Sequence, residues 1–415
     1  MSFQQGLSGL NSSAKALDVI SNNIANANTA GFKSAEVHFS DVYAASLGGG
    51  GASQVGIGAA VGGIVQQFSQ GNITTTNNPL DISINGGGFY RMSSQGGEIT
   101  YSRNGQFHLD NRGYVVNDQT LRLNGIAAVN GVIPPAGDSA ALQISSDPIP
   151  PRASDDPLAG DMTAVVNLDA RDDVPSLGPF DPANPLTYNF STAMSVFDSL
   201  GSAHSLTMYF ERTAAGGPWD VHATLDGDAA TVQTSIASLA FDTSGTLTTA
   251  MPVAIPANWV LTTGAVTPWA PGNIDFTGST QYGSEPTVNS LTQGGYTSGA
   301  LTGVAVGSDG IVQGNYTNGQ SRSLARIVLA TFDNPNGLKS VGNNQWNATP
   351  ESGEALIDAP GAGNRGVLQS AAIEESNTDL TAELVRMITQ QRNYQSNAQS
   401  IKTQDQILQT LVNLR

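Results

Sequence analysis

The chain contains no cysteine. Disulfides, thiolate metal sites and cysteine nucleophiles are therefore excluded, and stability must come from burial or from neighbouring subunits. Charge is scarce as well: 12% of residues are Asp, Glu, Lys or Arg, against about 25% in ordinary globular proteins. The basic residues are the scarcer kind, with 17 Lys and Arg against 34 Asp and Glu, a formal charge of −17. That balance argues against nucleic acid and against anionic membrane surfaces, which both call for basic patches. No run of 18 apolar residues occurs, so no membrane-spanning helix and no membrane insertion is expected. The first charged residue is Lys15, and Met1 to Ile24 holds no continuous apolar stretch. A cleaved signal peptide is thus not expected, and any route out of the cytoplasm would keep the N-terminus.

Glycine is what the sequence has in quantity, 47 of 415 residues, with Ser, Thr, Asn and Gln in place of charge. This suits many short strands joined by tight turns, while 39% hydrophobic residues in ordered patterns argue against disorder. The length predicts two to four domains. Helices are expected at both ends. Phe3, Leu7, Leu10, Ala14, Leu17 and Ile24 follow 4-3 spacing, Ser2 and Gln5 have the form of a capping box, and Gly31 supplies a stop. At the other end Leu380, Leu384, Met387, Gln391, Tyr394, Ala398, Ile401, Asp405, Leu408 and Val412 keep the same rhythm. Ser376 or Asn377 would cap that helix, which over 377–415 would be about 57 Å long. Narrow seams of this kind are the coiled-coil pattern.

The middle reads as β. Trp219, Val221, Ala223 and Leu225 alternate with Asp220, His222 and Thr224 before an Asp226-Gly227 turn, and Leu206, Met208 and Phe210 alternate likewise. Asn104-Gly105, Asn124-Gly125, Asp309-Gly310 and Asn318-Gly319 are hairpin-type dipeptides, and Ala325 to Ala330 reads as a buried strand. Gly48 to Gly63 reads as a loop or loosely structured segment, and Ser146 to Pro185, with eight of the twenty prolines, as a domain junction or irregular connector. If the two ends pair, the domains must be nested. A terminal helical coiled coil (1–27 with 376–415) would come first, then an irregular connector containing a β-hairpin (28–70 with 360–375). Beyond it would lie an inner β domain (71–146 with 286–359) and an outer β domain inserted in that one (147–285).

Nothing reads as a catalytic or cofactor site. Ser12-Ser13-Ala14-Lys15 has the S-x-x-K form but no companion motif. Gly56 and Gly58 begin a dinucleotide pattern that fails at Val61. His38, His108, His204 and His222 lack metal-ligand spacing, and His222 falls on the polar face of its strand, where a solvated side chain is expected. Asp155-Asp156 and Asp172-Asp173 read as exposed loop charges, with a surface cation site as the alternative. No catalytic, metal or cofactor residue is assigned, and an enzyme is not expected. Near the C-terminus Ile407, Leu408, Leu411, Val412 and Leu414 surround most of the helix. A helix apolar all round must be covered on all sides, and one partner helix covers one side. Other subunits would supply the rest, against the simpler reading of an intramolecular hairpin that closes the fold.

Ala25-Asn26-Ala27-Asn28-Thr29-Ala30-Gly31-Phe32-Lys33 matches in full the ANxxTxGFK signature of bacterial flagellar axial proteins, the rod and hook subunits. The stretch from Glu383 through Arg392-Asn393-Tyr394-Gln395-Ser396-Asn397-Ala398 to Arg415 is similar to the C-terminal end of that family's hook members, and Tyr101 to Phe107 resembles a hairpin of the family's first β domain. The large central insertion favours a hook subunit over a distal rod subunit, the alternative. The resemblance implies export through the flagellar type III apparatus and assembly beneath a hook cap, between distal rod and hook-filament junction proteins. It also implies an extracellular curved tube of about eleven protofilaments, an open helical assembly of heterologous contacts, that works as a universal joint passing motor torque to the filament. Phe3, Leu7, Leu10, Leu17, Ile24, Leu380, Leu384, Met387, Tyr394, Ile401, Leu408, Leu411 and Val412 would be its assembly residues, and Ala25, Asn26, Thr29, Gly31, Phe32 and Lys33 its signature turn. A secreted glycan-binding β protein would explain the composition but not the paired heptads, and a secreted hydrolase would need acid–base residues that cannot be named.

Overall fold

The computed structural model describes residues 2–42, 56, 58–135, 137–256 and 259–413. The chain divides into two compact units. One takes in residues 1–146, 303–315 and 321–415, the other residues 147–302 with 316–320.

The first unit carries both long helices, α1 (Ser2–Ala25) and α2 (Leu380–Asn413). The side chain of Ser2 lies outside the described residues, so the Ser2–Gln5 capping box does too. At the start of α2 the expected caps are replaced by Asp379. Its carboxylate accepts from the backbone N–H of Thr381 at 2.9 Å and of Ala382 at 3.1 Å. Asn377 instead spends its side chain on other segments, accepting from Ser34 N–H and donating to the Gln67 carbonyl.

After α1 the chain forms an antiparallel hairpin, β1 (Ala35–Val42) with β2 (Gly58–Gln66), bulged between His38 and Phe39. The sequence reading of Gly48 to Gly63 as a loop is thus corrected for Gly58–Gly63, where small residues let strand backbone lie close to α1. Positions 48–55 and 57 lie outside the described residues. Returning C-terminal strands complete this unit: Val367–Ser370 pairs with Ile82–Asn85, and Ala372–Glu374 with Ile73–Thr75. The main sheet runs, in spatial order, through Leu301–Val306, Ile311–Tyr316, Ser321–Ile327, Arg122–Ala127, Phe89–Ser93, Ile99–Ser102, Gln345–Asn347 and Lys339–Gly342. Against it packs an aromatic cluster. Phe68, Phe89, Tyr101, Phe332 and Trp346 meet edge to face at centroid distances of 4.8 to 5.9 Å, the geometry the ring quadrupole favours.

Asp309-Gly310 and Asn318-Gly319 are hairpin turns as expected, with Gly310 and Gly319 at φ +80° and +78°. Asn124-Gly125 is not a turn: it lies inside strand Arg122–Ala127, where Gly125 faces the Arg326 backbone and Leu142 too closely for a side chain. Asn104-Gly105 lies in a connector whose Gly105 carbonyl accepts from Ile82 N–H. The hairpin expected at Tyr101 to Phe107 is instead Phe89–Ser93 with Ile99–Ser102. Ala325 to Ala330 is buried apart from the half-buried Arg326, but splits into two strands, Ser321–Ile327 and Leu329–Thr331, with different partners.

The second unit is a sandwich of two sheets over one core. A four-stranded antiparallel meander runs through Phe190–Phe197, Ala203–Arg212, Trp219–Leu225 and Gln233–Leu239. The other sheet is built around Met162–Asp169, which pairs parallel with Asn273–Asp275 and Thr280–Tyr282 and antiparallel with Thr287–Thr292. Met162, Ala164, Val166 and Leu168 share a core with Leu206, Met208, Phe210, Trp219, Val221 and Phe276. Two corrections follow. The proline-rich stretch contains a central buried strand, because its prolines flank Met162–Asp169 and leave every ladder N–H in place. And the unit's long segment runs to Thr302, beyond the expected 285, because Thr287–Thr292 pairs along Met162–Asp169.

His222 also departs from expectation. It is 5% exposed, donates from Nε2 to Glu211 at 2.9 Å, accepts from Ser235 N–H at Nδ1, and stacks on Phe180 at 4.0 Å. The loop carrying Phe180 covers what would otherwise be the solvent face of the sheet. Asp155 and Asp173 are exposed, and the Asp172 carbonyl accepts from Arg212. Among the described residues no group of three or more His, Asp or Glu is placed to hold a metal.

Candidate assembly site: the terminal helices and the signature turn

The helices pack antiparallel through small residues. A methyl group placed on Gly6 would meet Ile401 Cγ1 at 2.9 Å, and one on Gly9 would meet Asn397 Nδ2 at 2.7 Å. Close approach of the two backbones therefore depends on these glycines. The least accessible stripe of α1 is Gly6, Gly9, Ser13, Ala16, Ile20 and Asn23, and that of α2 is Glu383, Met387, Gln390, Asn397, Ile401 and Gln404. Both keep 4-3 spacing, yet both are mostly small or polar. On the other flank of α1, Gln5 and Ser12 donate to the Gly56 and Ala59 carbonyls and seat the hairpin.

On α1 the apolar stripe read from the sequence is rotated away from this contact by about one residue, roughly 100° of helix, while on α2 Met387 and Ile401 belong to both rows. Phe3 and Leu7 are 46% and 44% exposed; Leu10, Leu17 and Ile24 are half-buried. On α2, Leu380, Leu384, Tyr394 and Leu408 are exposed, together with Val385, Ile388 and Ile407, while Met387 and Ile401 are half-buried. The side chains of Leu411 and Val412 lie outside the described residues. Glu383 is the one buried residue of α2 among those described. A helix of 34 residues whose inward row is mostly polar while large apolar side chains stand exposed departs from the amphipathic pattern of a soluble surface helix.

The signature turn is built differently, by internal hydrogen bonds. Asn23 donates to the Ala35 carbonyl at 2.8 Å and accepts from Ala35 N–H at 3.0 Å, so its amide takes the place of a strand partner. Asn26 closes the end of α1 through Asn22 and accepts from the Thr29 hydroxyl. Ala25 is exposed at the last turn of the helix, and Phe32 is buried. Gly31 sits at φ +69°, and a side chain there would lie 2.6 Å from the Asn104 nitrogen. Only glycine meets both demands. Its N–H donates to the Glu374 carbonyl at 2.8 Å.

Lys33 leads into a buried ionic cluster that the sequence did not reveal. Its Nζ lies 2.7 Å from Glu374 Oε1 and 2.6 Å from the Ser69 carbonyl, with both charged side chains at 0% exposure. Arg103 Nε pairs with Glu374 Oε2 at 3.2 Å, while its NH1 donates to the Gly86 and Gly88 carbonyls. Gly71 N–H adds a third donor to Glu374. One carboxylate thus serves two cations and ties five stretches of chain together. Burial holds the Lys33 ammonium below its ordinary pKa, with the Arg103 charge acting the same way and Glu374 opposing both. The motif singled out Lys33, and Arg103 lies in the Tyr101–Phe107 stretch, but Glu374 carried no signal: its partner is 341 positions away.

Four family models match the chain. Residues 3–33 match one described as flagella basal body rod protein, and 83–148 the flagellar hook protein FlgE/F/G D1 domain. Residues 167–296 match the flagellar basal body protein FlaE D2 domain, and 369–414 the flagellar basal body rod FlgEFG protein C-terminal model. The chain is 41% identical over 422 residues to the flagellar hook protein FlgE of Escherichia coli K12, covering all of both chains, and equally to that of Salmonella typhimurium LT2. Against the flagellar hook protein FlgE of Brucella suis it is 32% identical over 417 residues, spanning all of this chain and 98% of the relative. A solved structure of Helicobacter pylori flagellar hook protein FlgE2 aligns over 71% of this chain and 99% of that one, at 12% identity and a TM-score of 0.49.

Proposed function

The chain belongs to the flagellar hook protein family, as a hook subunit rather than a distal rod subunit, and from that premise we propose that it polymerises into a curved tube serving as a universal joint between motor and filament. The observation that carries the proposal is the outward apolar row on α2. A lone subunit leaves Leu380, Leu384, Val385, Ile388, Ile407 and Leu408 in water. Burying such side chains stabilises by about 1.5–3 kcal/mol each, so copies that cover one another's rows gain a driving force without new polar contacts. The proposed role is structural, without catalysis or cofactor.

The rest of the reading follows from the family. The tube has about eleven protofilaments, an open array of heterologous contacts. It grows beneath a hook cap, outward from the distal rod, and ends at the hook-filament junction proteins. Subunits leave the cell through the flagellar type III export apparatus without losing a leader, and the assembled hook is extracellular. Within the subunit the hairpin β1–β2 and its neighbours form the connector, and residues 147–302 with 316–320 form the domain inserted in the chain.

Negative-stain electron microscopy of concentrated protein tests this reading. Wild-type chain forms tubes; Leu408→Asp, which places a carboxylate where a neighbour would cover it, leaves monomers. A Leu408→Asp chain that still builds normal tubes would remove α2 from the assembly contact.

A further inference from the structure

Between α1, β1 and α2 lies an open groove of about 390 Å³. Its apolar walls are Ala16, Val19, Ile20, Val37, Phe39 and Val385. Phe39 and Val385 are 46% and 60% exposed. Glu383 also lines it, its side chain 7% exposed. One Glu383 oxygen accepts from Arg386 at 3.3 Å, while the other, Oε2, is buried without a hydrogen-bond partner. The exposed walls of the groove are apolar, so it suits an occupant that brings apolar bulk.

We propose that the occupant is the C-terminal end of α2 from a second copy of this chain, residues 406–415. The inference rests on the polymer reading above. Three observations select that segment. In the antiparallel pair Gly6 faces Ile401 and Gly9 faces Asn397, a register that carries α2 about seven residues past the start of α1. The overhang therefore has no helix beside it, yet Ile407 and Leu408 are each 55% exposed on it. Its composition also fits: residues 406–415 offer Ile407, Leu408, Leu411, Val412 and Leu414, and no acidic residue to meet Glu383. Finally, a chain cannot fill its own groove. Gln390, at the groove, and Ile407 lie on one continuous helix, 17 residues or roughly 26 Å apart. The contact is between copies and heterologous, each subunit offering a tip at one end and a groove at the other, and such contacts propagate instead of closing. It is a helix-in-groove contact with anchors at i and i+4, Ile407 and Leu411.

The absence of native cysteine makes the test clean. Val37→Cys and Leu408→Cys chains are prepared separately, mixed, polymerised and oxidised with copper phenanthroline. The proposal expects a disulfide-linked dimer in the mixed tubes and none in tubes of either variant alone. The double variant should give a ladder of multimers, and moving the groove cysteine to Val129 should abolish the product. Thr389→Cys with Ile407→Cys is the second pair, should the first fail to enter tubes. Tubes that form without a crosslink from either pair, within disulfide reach of about 4.4–6.8 Å between Cα atoms, overturn this inference and leave the polymer reading intact. Wild-type protein that builds no tubes would overturn the polymer reading itself.

Discussion

Replacing Glu374 by Gln should destabilise the first unit more than replacing its partner Lys33 by Met. The substitution keeps the side chain's shape and removes its charge, leaving Lys33 and Arg103, at 0% and 3% side-chain exposure, facing each other without an anion. Stripping one partner from a buried ion pair costs about 3–5 kcal/mol. Lys33→Met, in contrast, leaves Arg103 paired with Glu374 at 3.2 Å and Gly71 N–H still donating to the carboxylate. Its cost is the lost hydrogen bonds to Ser69 and Glu374, about 1–3 kcal/mol. For a unit of some 250 residues each kcal/mol shifts the midpoint by about 2–4 °C. Glu374→Gln should then melt about 6–20 °C below wild type, and Lys33→Met clearly less far below. Calorimetry of the monomeric full chain reads both. Equal shifts for the two variants, or a Glu374→Gln midpoint within about 2 °C of wild type, would show that the cluster is not a charge-balanced unit.

The lowered pKa of Lys33 gives a pH signature. The folded lysine releases its proton at lower pH than the unfolded one, whose value is 10.5, so between those two points the unfolded state binds more protons and stability rises with pH. Wild type should therefore gain on Lys33→Met as pH climbs toward 10.5 in urea titrations, and parallel curves would refute this. Gly31→Ala should cost at least about 2 kcal/mol from the positive φ and the collision with Asn104, read as a lower urea midpoint; a neutral result would mean that the turn relaxes. In dilute monomer, α2 amides should exchange far faster than those of Phe89–Ser93 or Leu206–Phe210, because Glu383 is the one buried position described on that helix. Equal protection would mean the pair is closed without neighbours. Ile149 and Gly299 exchange backbone hydrogen bonds at 2.8 and 3.3 Å, so replacing residues 149–299 by a short Gly/Ser bridge should leave the first unit folded and polymerising. Loss of its cooperative unfolding would place the domain boundary inside a core.

The helices were legible because 4-3 spacing is a strong local signal, and the alternation at Trp219–Leu225 and Leu206–Phe210 was legible for the same reason. What local pattern could not supply was orientation. The apolar row Phe3, Leu7, Leu10 reads as the natural seam, yet the row one step round, Gly6, Gly9, Ser13, Ala16, makes the contact, because small residues permit a separation that large ones forbid. His222 was misplaced because its cover, Phe180, lies 42 positions earlier in a segment dominated by proline. Asn124-Gly125 carries turn chemistry, but its glycine is there for a neighbouring backbone. Glu374 was invisible for a different reason: charge pairing across hundreds of residues leaves no mark on either neighbourhood.

That last separation bears on how the protein becomes itself. Contacts between distant positions form late, after loop-closure entropy has been met. Lys33 and Arg103 lie in the first quarter of the chain, and the carboxylate that neutralises both arrives only at position 374, six residues before α2 begins. A chain that stops before Val367 also lacks the strands Val367–Ser370 and Ala372–Glu374 that pair with Ile82–Asn85 and Ile73–Thr75. Its early half keeps two cations that cannot be buried and sheet edges that cannot be closed. The ionic cluster thus ties closure of the first unit to the segment that leads into α2: without it, Lys33 and Arg103 have no anion to bury against.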